Sequence, residues 1–243
     1  MQSTDNDTPM PQILILGADG ANGEPGSIGM DGVNSKETNT GQNGADGTPG
    51  WFSCHCATDG TKGADAVSGG GPGGNGGNGA RPDSFVLTAL RYIGPIRIYS
   101  RGGQGGRGGN GGTGGSGAGG GNGGTNASSC VSNGDCRPTS GGQGGDAGNG
   151  GMGGRGGNGG PGGDIEIRFS GQQPVNVLGQ SFGGTAGCPG TGGMSGTPGQ
   201  GGYGEMIAGK KDLALPGRAG INGSDLGGGE VGHAGTVTLL RVK

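Results

Sequence analysis

The chain has 243 residues, of which 75 are Gly, with 26% hydrophobic and 3% aromatic residues and a formal net charge of −3. An ordinary domain carries about 7% Gly and buries large side chains in a core, so this composition excludes a conventional globular interior. The slight acidity, with Arg101, Arg107 and Arg155 dispersed, argues against nucleic-acid binding, and no stretch approaches the length of a membrane span.

Residues 1–10 are polar and lack an apolar h-region, so no classical secretory signal is expected. Pro11-Gln-Ile-Leu-Ile-Leu then reads as a strand running into a glycine at every third residue from Gly17 to Gly32. Residues 33–40 break that register and are expected to bulge sideways before it resumes from Gly41 to Gly50. A non-glycine apex follows at 51–59, and Phe85–Tyr92 reads as the next strand. The second passage opens with Pro95-Ile-Arg-Ile-Tyr and keeps glycine every third residue from Gly102 to Gly123. It turns over at 126–139, returns from Gly142 to Gly163, and closes on Ile165–Phe169. The third opens with Pro174-Val-Asn-Val-Leu, runs from Gly184 to Gly202, and turns at 203–216. It returns from Gly217 to Gly235 with one break at Leu226, and ends in Thr236–Val242.

A period of three matches the polyproline-II helix, at three residues per turn and about 3.1 Å per residue. Collagen fills the other two positions with Pro, but only 13 Pro are spread over this chain and the second position is often Gly. The expected fold is therefore a bundle of packed polyglycine-II helices on a small β-strand base. It comprises three pseudo-repeats of strand, rod, apex, rod and strand. The boundaries are 1–10 for a polar tail, then 11–94, 95–173 and 174–243, all in one continuous structural domain. Interchain N–H to carbonyl bonds must offset the entropy of ordering so much Gly, and the X residues of the triplets are expected to face solvent.

The apices carry the chemistry that the rods lack. The only Trp and four of the five Cys lie there. Loops on a rigid scaffold concentrate binding residues, and large aromatic residues and Arg are favoured anchors. The candidate receptor-binding residues are Trp51, Phe52, His55, Asn126, Asn133, Arg137, Tyr203, Met206, Ile207, Lys210 and Lys211. The competing reading is that Trp51, Phe52, Met206 and Ile207 pack together merely to close the tip.

Cys130 and Cys136 flank a turn-like Val-Ser-Asn-Gly-Asp, which suits a loop-closing disulfide. Alternatively Cys54-His55-Cys56 joins them in a zinc site, although the spacing matches no standard motif. Cys188 sits in a rod and reads as a packing residue. No nucleophile triad, phosphate loop or carboxylate pair stands out, and the many Gly-x-Gly-x-x-Gly matches follow from the repeat. An enzyme, a cofactor and a metal are accordingly not expected.

The Gly-Gly-X rods at 102–125, 141–163 and 184–202 resemble the tip adhesins of T-even-type phage long tail fibres. That resemblance implies loops that bind a bacterial outer-membrane protein or other cell-surface receptor. It also implies attachment to a trimeric fibre through the strand base, and a location on a virion or outside a cell. Gly73-Gly-Asn-Gly-Gly-Asn and the Gly-Ala-Asp-Gly runs at 17–20 and 44–47 are similar to snow flea antifreeze proteins, which implies ice binding. A self-assembling structural protein, joined edge to edge through its strands, is the third expectation.

Overall fold

The computed structural model describes residues 13–24, 26–27, 29, 40–89, 96–170, 177–207 and 209–243. The expected tail at 1–10 lies outside them, as does the expected bulge at 33–40 apart from Thr40. The strands are β1 (Ile13–Leu16), β2 (Thr48–Pro49), β3 (Cys54–His55), β4 (Phe85–Ala89), β5 (Ile96–Arg101), β6 (Ile165–Phe169), β7 (Val177–Phe182), β8 (Tyr203–Ile207), β9 (Lys210–Leu213) and β10 (Val237–Arg241). Among the described residues one short helix, α1 (Ser128–Ser132), stands between β5 and β6.

These elements correct the expected fold class. Among the described residues the regular structure is four small sheets and one five-residue helix, and the glycine segments belong to neither. The physical reason lies in where the backbone bonds go. An α-helix bonds within its own segment, whereas here the glycine N–H groups donate to neighbouring segments, and the regular pairing is that of strands. The period of three is a lateral repeat: Gly17, Gly20, Gly23, Gly26 and Gly29 donate in turn to the carbonyls of Arg101, Gln104, Arg107, Asn110 and Thr113. The single strand base is corrected as well. It is two parallel sheets, β1-β5-β7 and β10-β6-β4, with two further antiparallel pairs, β2-β3 and β8-β9, at the apices.

The two parallel sheets face each other across the only sizeable apolar cluster among the described residues. Ile98, Ile165, Ile167 and Val177 are buried, with Ile13, Ile15, Phe85, Leu87 and Ile96 packed against them. Alternation within β6 supplies this directly, since Ile165, Ile167 and Phe169 face inward while Arg168 faces solvent. Gly179 in β7 is required by the approach of the sheets, because a Cβ there would lie 2.8 Å from Val237 Cγ1 and 3.4 Å from Ile165 Cγ2.

Six glycine segments run from this core toward the apices. The outgoing ones, near 17–29 and 40–47, 102–125 and 183–203, bond to each other in parallel through their described residues: Gly105 donates to Thr185 and Gly108 to Cys188. The returning ones, near 57–80, 140–163 and 214–235, do the same, with Gly76 donating to Arg155 and Gly159 to Glu230. Antiparallel bonds join the two sets, as where Gly109 donates to Gly74 and Gly154 donates to Gly109. The result is a two-layered slab, three segments wide.

A second repeat explains the Asn and Asp residues, and corrects the expectation that X side chains face only solvent. At Asn22-Gly23 the side-chain Oδ1 accepts from the Arg107 N–H at 2.9 Å, while the Gly23 N–H donates to the Arg107 carbonyl at 2.7 Å. One Asx-Gly dipeptide thus clamps both backbone groups of one residue on the next segment. The same clamp joins Asn78-Gly79 to Asn158, and Asn158-Gly159 to Glu230, forming a relay across all three returning segments. Asp serves equally: Asp65 holds Asp146, which in turn holds Arg218. The Asp146 N–H, and then the Lys62 ammonium, keep the Asp65 carboxyl below the usual carboxylate range. Thr236, through its N–H and hydroxyl, and then Arg81 do the same for Asp164.

Candidate functional site

The three apices converge at the end of the slab remote from the core. In the first, the β2-β3 hairpin pairs Thr48 with His55 and Pro49 with Cys54, projecting Gly50-Trp51-Phe52-Ser53 beyond it. In the second, α1 begins after Ala127, which supplies no side-chain cap, and ends at Asn133. Gly134 then turns the chain with φ +79°, a conformation that favours glycine. In the third, β8 and β9 form a hairpin closed at Gly209, again with φ +79°.

Two disulfides join the first apex to the second, Cys54–Cys130 and Cys56–Cys136. The expected Cys130–Cys136 bridge is therefore corrected. The Cys136 N–H donates to the Cys130 carbonyl at 3.1 Å, which holds the two residues on one turn. Their sulfurs are engaged by the neighbouring β3 segment, where Cys54 and Cys56 lie on either side of His55. All four thiols of the alternative zinc site are thereby bonded in pairs. Cys188 is exposed rather than packed.

Asn126 and Glu205 hold the apices together. Asn126 is buried, its Oδ1 accepts from the Ala57 N–H, and its Nδ2 donates to the Arg137 carbonyl and to Glu205 Oε2. The Asn126 N–H donates to Glu205 Oε1 at 2.8 Å. One amide and one carboxylate thus touch residues from all three apices. Asn126 is a structural anchor, since its polar atoms are engaged within the apices, and it also lines the cleft between α1 and the β8-β9 hairpin. Arg137 is largely exposed while its guanidinium pairs with Asp59 at 2.7 Å.

The other candidates divide between two places. Tyr203, Met206 and Lys211 line a cleft of about 770 Å³ between α1 and the β8-β9 hairpin, with Val131 and Pro138 opposite. Lys211 Nζ stands 5.9 Å from the centre of the Tyr203 ring. Trp51 and Phe52 lie on the separate β2-β3 loop, 95% and 100% exposed. With Met206 also exposed, these three do not pack together to close the tip. His55, Asn133 and Lys210 are exposed, and Ile207 lies in β8 opposite Lys210.

Sequence reasoning missed Glu205 and Asp59. Glu205 stands two residues after Tyr203, and the sequence carries no sign that it reaches Asn126, 79 positions earlier. Asp59 bears a signal in retrospect: Asp59-Gly60 is an Asx-Gly pair, and it clamps Ser140 in the common manner. Among the described residues no three His, Cys, Asp or Glu side chains gather as a metal site.

No protein-family profile and no curated protein matches the chain. Among solved structures, the nine polyproline type II helical bundle springtail antifreeze protein from Granisotoma rainieri is 28% identical over 76% of this chain and 94% of that one, with a TM-score of 0.13. A TM-score so low carries no structural argument. The comparisons thus give the chain one weak neighbour among polyproline II antifreeze proteins, and they do not support the resemblance to phage adhesins.

Proposed function

We propose that the chain is a recognition protein whose three joined apices bind a cell-surface macromolecule. The observation that carries this reading is Trp51-Phe52, two large aromatic side chains left almost wholly in solvent on a hairpin fixed by two disulfides. Aromatic anchors contribute most when already ordered before binding, and exposed apolar groups on a rigid loop mark interaction sites. The cleft beside Tyr203, Met206 and Lys211 adds a second, partly cationic contact surface.

Ice binding is the second reading. Thr185, Thr191 and Thr197 are exposed at every sixth residue of one outgoing segment, and Thr197 Oγ1 bonds Ser116 Oγ on the next at 3.1 Å. Exposed Cys188 and Met194 interrupt that file. The springtail protein's reported crystal waters match the ice lattice, a property of that protein.

The test compares fluorescently tagged wild type with a Trp51→Ala/Phe52→Ala variant on a panel of bacterial and other cells. Saturable binding by wild type, weakened at least about tenfold in the folded variant, is the expected result. Equal binding by both, or no binding by wild type anywhere on the panel, overturns the proposal. Thermal hysteresis in the latter case moves ice binding to the front.

A further inference from the structure

The sequence contains ten Asn-Gly dipeptides, at Asn22, Asn43, Asn75, Asn78, Asn110, Asn122, Asn133, Asn149, Asn158 and Asn222. Asn followed by Gly is chemically fragile, because an unhindered glycine nitrogen can reach the preceding side-chain amide; Asn is counted among thermolabile residues. A chain with ten such pairs looks liable to general decay. The clamps change that.

Nine of the ten side chains accept a backbone N–H from a neighbouring segment through Oδ1. In the same nine pairs the glycine nitrogen donates to a neighbouring carbonyl, from Gly23 to Arg107 through to Gly223 to Gly193. Ring closure requires that nitrogen to turn away from its acceptor toward its own side chain. Both the attacking and the attacked group are therefore held by another segment, and the reaction must wait for the ladder to open.

Asn133 is the exception. It caps α1 at an exposed apex, and its side chain has no partner among the described residues. Gly134 is tied by one turn bond, its N–H to the Val131 carbonyl at 3.0 Å, at the end of a five-residue helix. A Cβ built on Gly134 would meet nothing within 4 Å, so the site has open space around it. Short helix ends fray readily.

We propose that Asn133-Gly134 is a self-modification site, where the folded protein converts an amide to an acid at its recognition apex while its other nine Asn-Gly pairs are protected. The Gly134 nitrogen attacks Asn133 Cγ and loses its proton, forming a new N–C bond. The Cγ–Nδ2 bond breaks and ammonia leaves, giving a five-membered succinimide. Water then opens either carbonyl, yielding Asp or isoaspartate at 133. No oxidant or reductant takes part. The product carries one more negative charge, two residues from Asp135, and the isoaspartyl form also lengthens the backbone by one carbon.

The experiment incubates the intact, oxidised protein in warm, mildly alkaline buffer. Peptide mapping by mass spectrometry, with chromatographic separation of aspartyl and isoaspartyl forms, follows all ten sites. The same chain, reduced and held in denaturant, gives the intrinsic rate at each. In the folded protein Asn133 is expected to convert at least about tenfold faster than any of the other nine, and in denaturant the ten rates are expected to converge. An Asn133→Gln variant is expected to leave the folded protein almost unmodified. Similar rates at all ten sites in the folded protein would overturn the proposal. So would a folded protein in which Asn133 persists while the denatured chain reacts there.

Discussion

Gly109→Ala is expected to destabilise the protein by about 3 kcal/mol or more, enough to threaten folding altogether. Gly109 donates to Gly74 on one side and accepts from Gly154 on another, while a Cβ added to it would be driven into the Glu24 carbonyl of a third segment. That obstacle is backbone, which is itself bonded to Gly74 and cannot retreat without opening a second ladder. Gly227→Ala is the matched control, since a Cβ there meets nothing within 4 Å. Removing a glycine at such a position restricts the unfolded chain, so the change is expected to be neutral or to stabilise by up to about 1 kcal/mol. Urea midpoints measure both. Equal midpoints for the two variants would show that close approach between segments does not hold the fold.

Reduction of the two disulfides is the other large effect. Cys54–Cys130 spans 76 positions and Cys56–Cys136 spans 80. In the chain-entropy model a loop of that size contributes about 4.5 kcal/mol. The two contributions do not simply add. Once the first bridge exists, the second closes only the short circuit through 54–56 and 130–136, worth about 2.5 kcal/mol on the same relation. A Cys56→Ser/Cys136→Ser variant is therefore expected to lose less than half of what full reduction removes. Denaturant unfolding reads this, with a lower midpoint and a steeper slope after reduction, because the freed chain exposes more surface. An unchanged midpoint in reductant would mean that the apices are held by Asn126 and Glu205 alone.

Much of this architecture was legible in the sequence, and the limits have physical causes. Ile165-Glu-Ile-Arg-Phe alternates cleanly and is a strand with its apolar face in the core. The triplet register marked where segments begin and end, because each glycine within it abuts another segment's backbone. What the register could not give was the form of the result. A period of three in glycine is equally a period of three in lateral hydrogen bonds, and the segments are joined by those bonds. The Asx-Gly clamp was visible as a recurrent dipeptide but reads, in isolation, as a turn signal. The cysteines were misread because sequence proximity favoured Cys130 with Cys136, whereas the partners are brought close by segments about 80 residues apart. Glu205 was invisible for the same reason: its role is set by an amide from another apex.

Hydrogen exchange across residues 150–160 tests the lateral ladder most directly. Within that stretch Gly150, Gly151, Gly153, Gly154, Gly156, Gly157, Gly159 and Gly160 donate to neighbouring segments, and Arg155 and Asn158 donate to the side chains of Asn75 and Asn78. Met152 lies level with Pro72, which has no side-chain acceptor, and its N–H has no partner among the described residues. Strong protection at every other amide of the stretch, with fast exchange at Met152 alone, is the expected result. Uniformly fast exchange, or protection at Met152 equal to that of Arg155 and Asn158, would contradict a fold built from glycine ladders and Asx clamps.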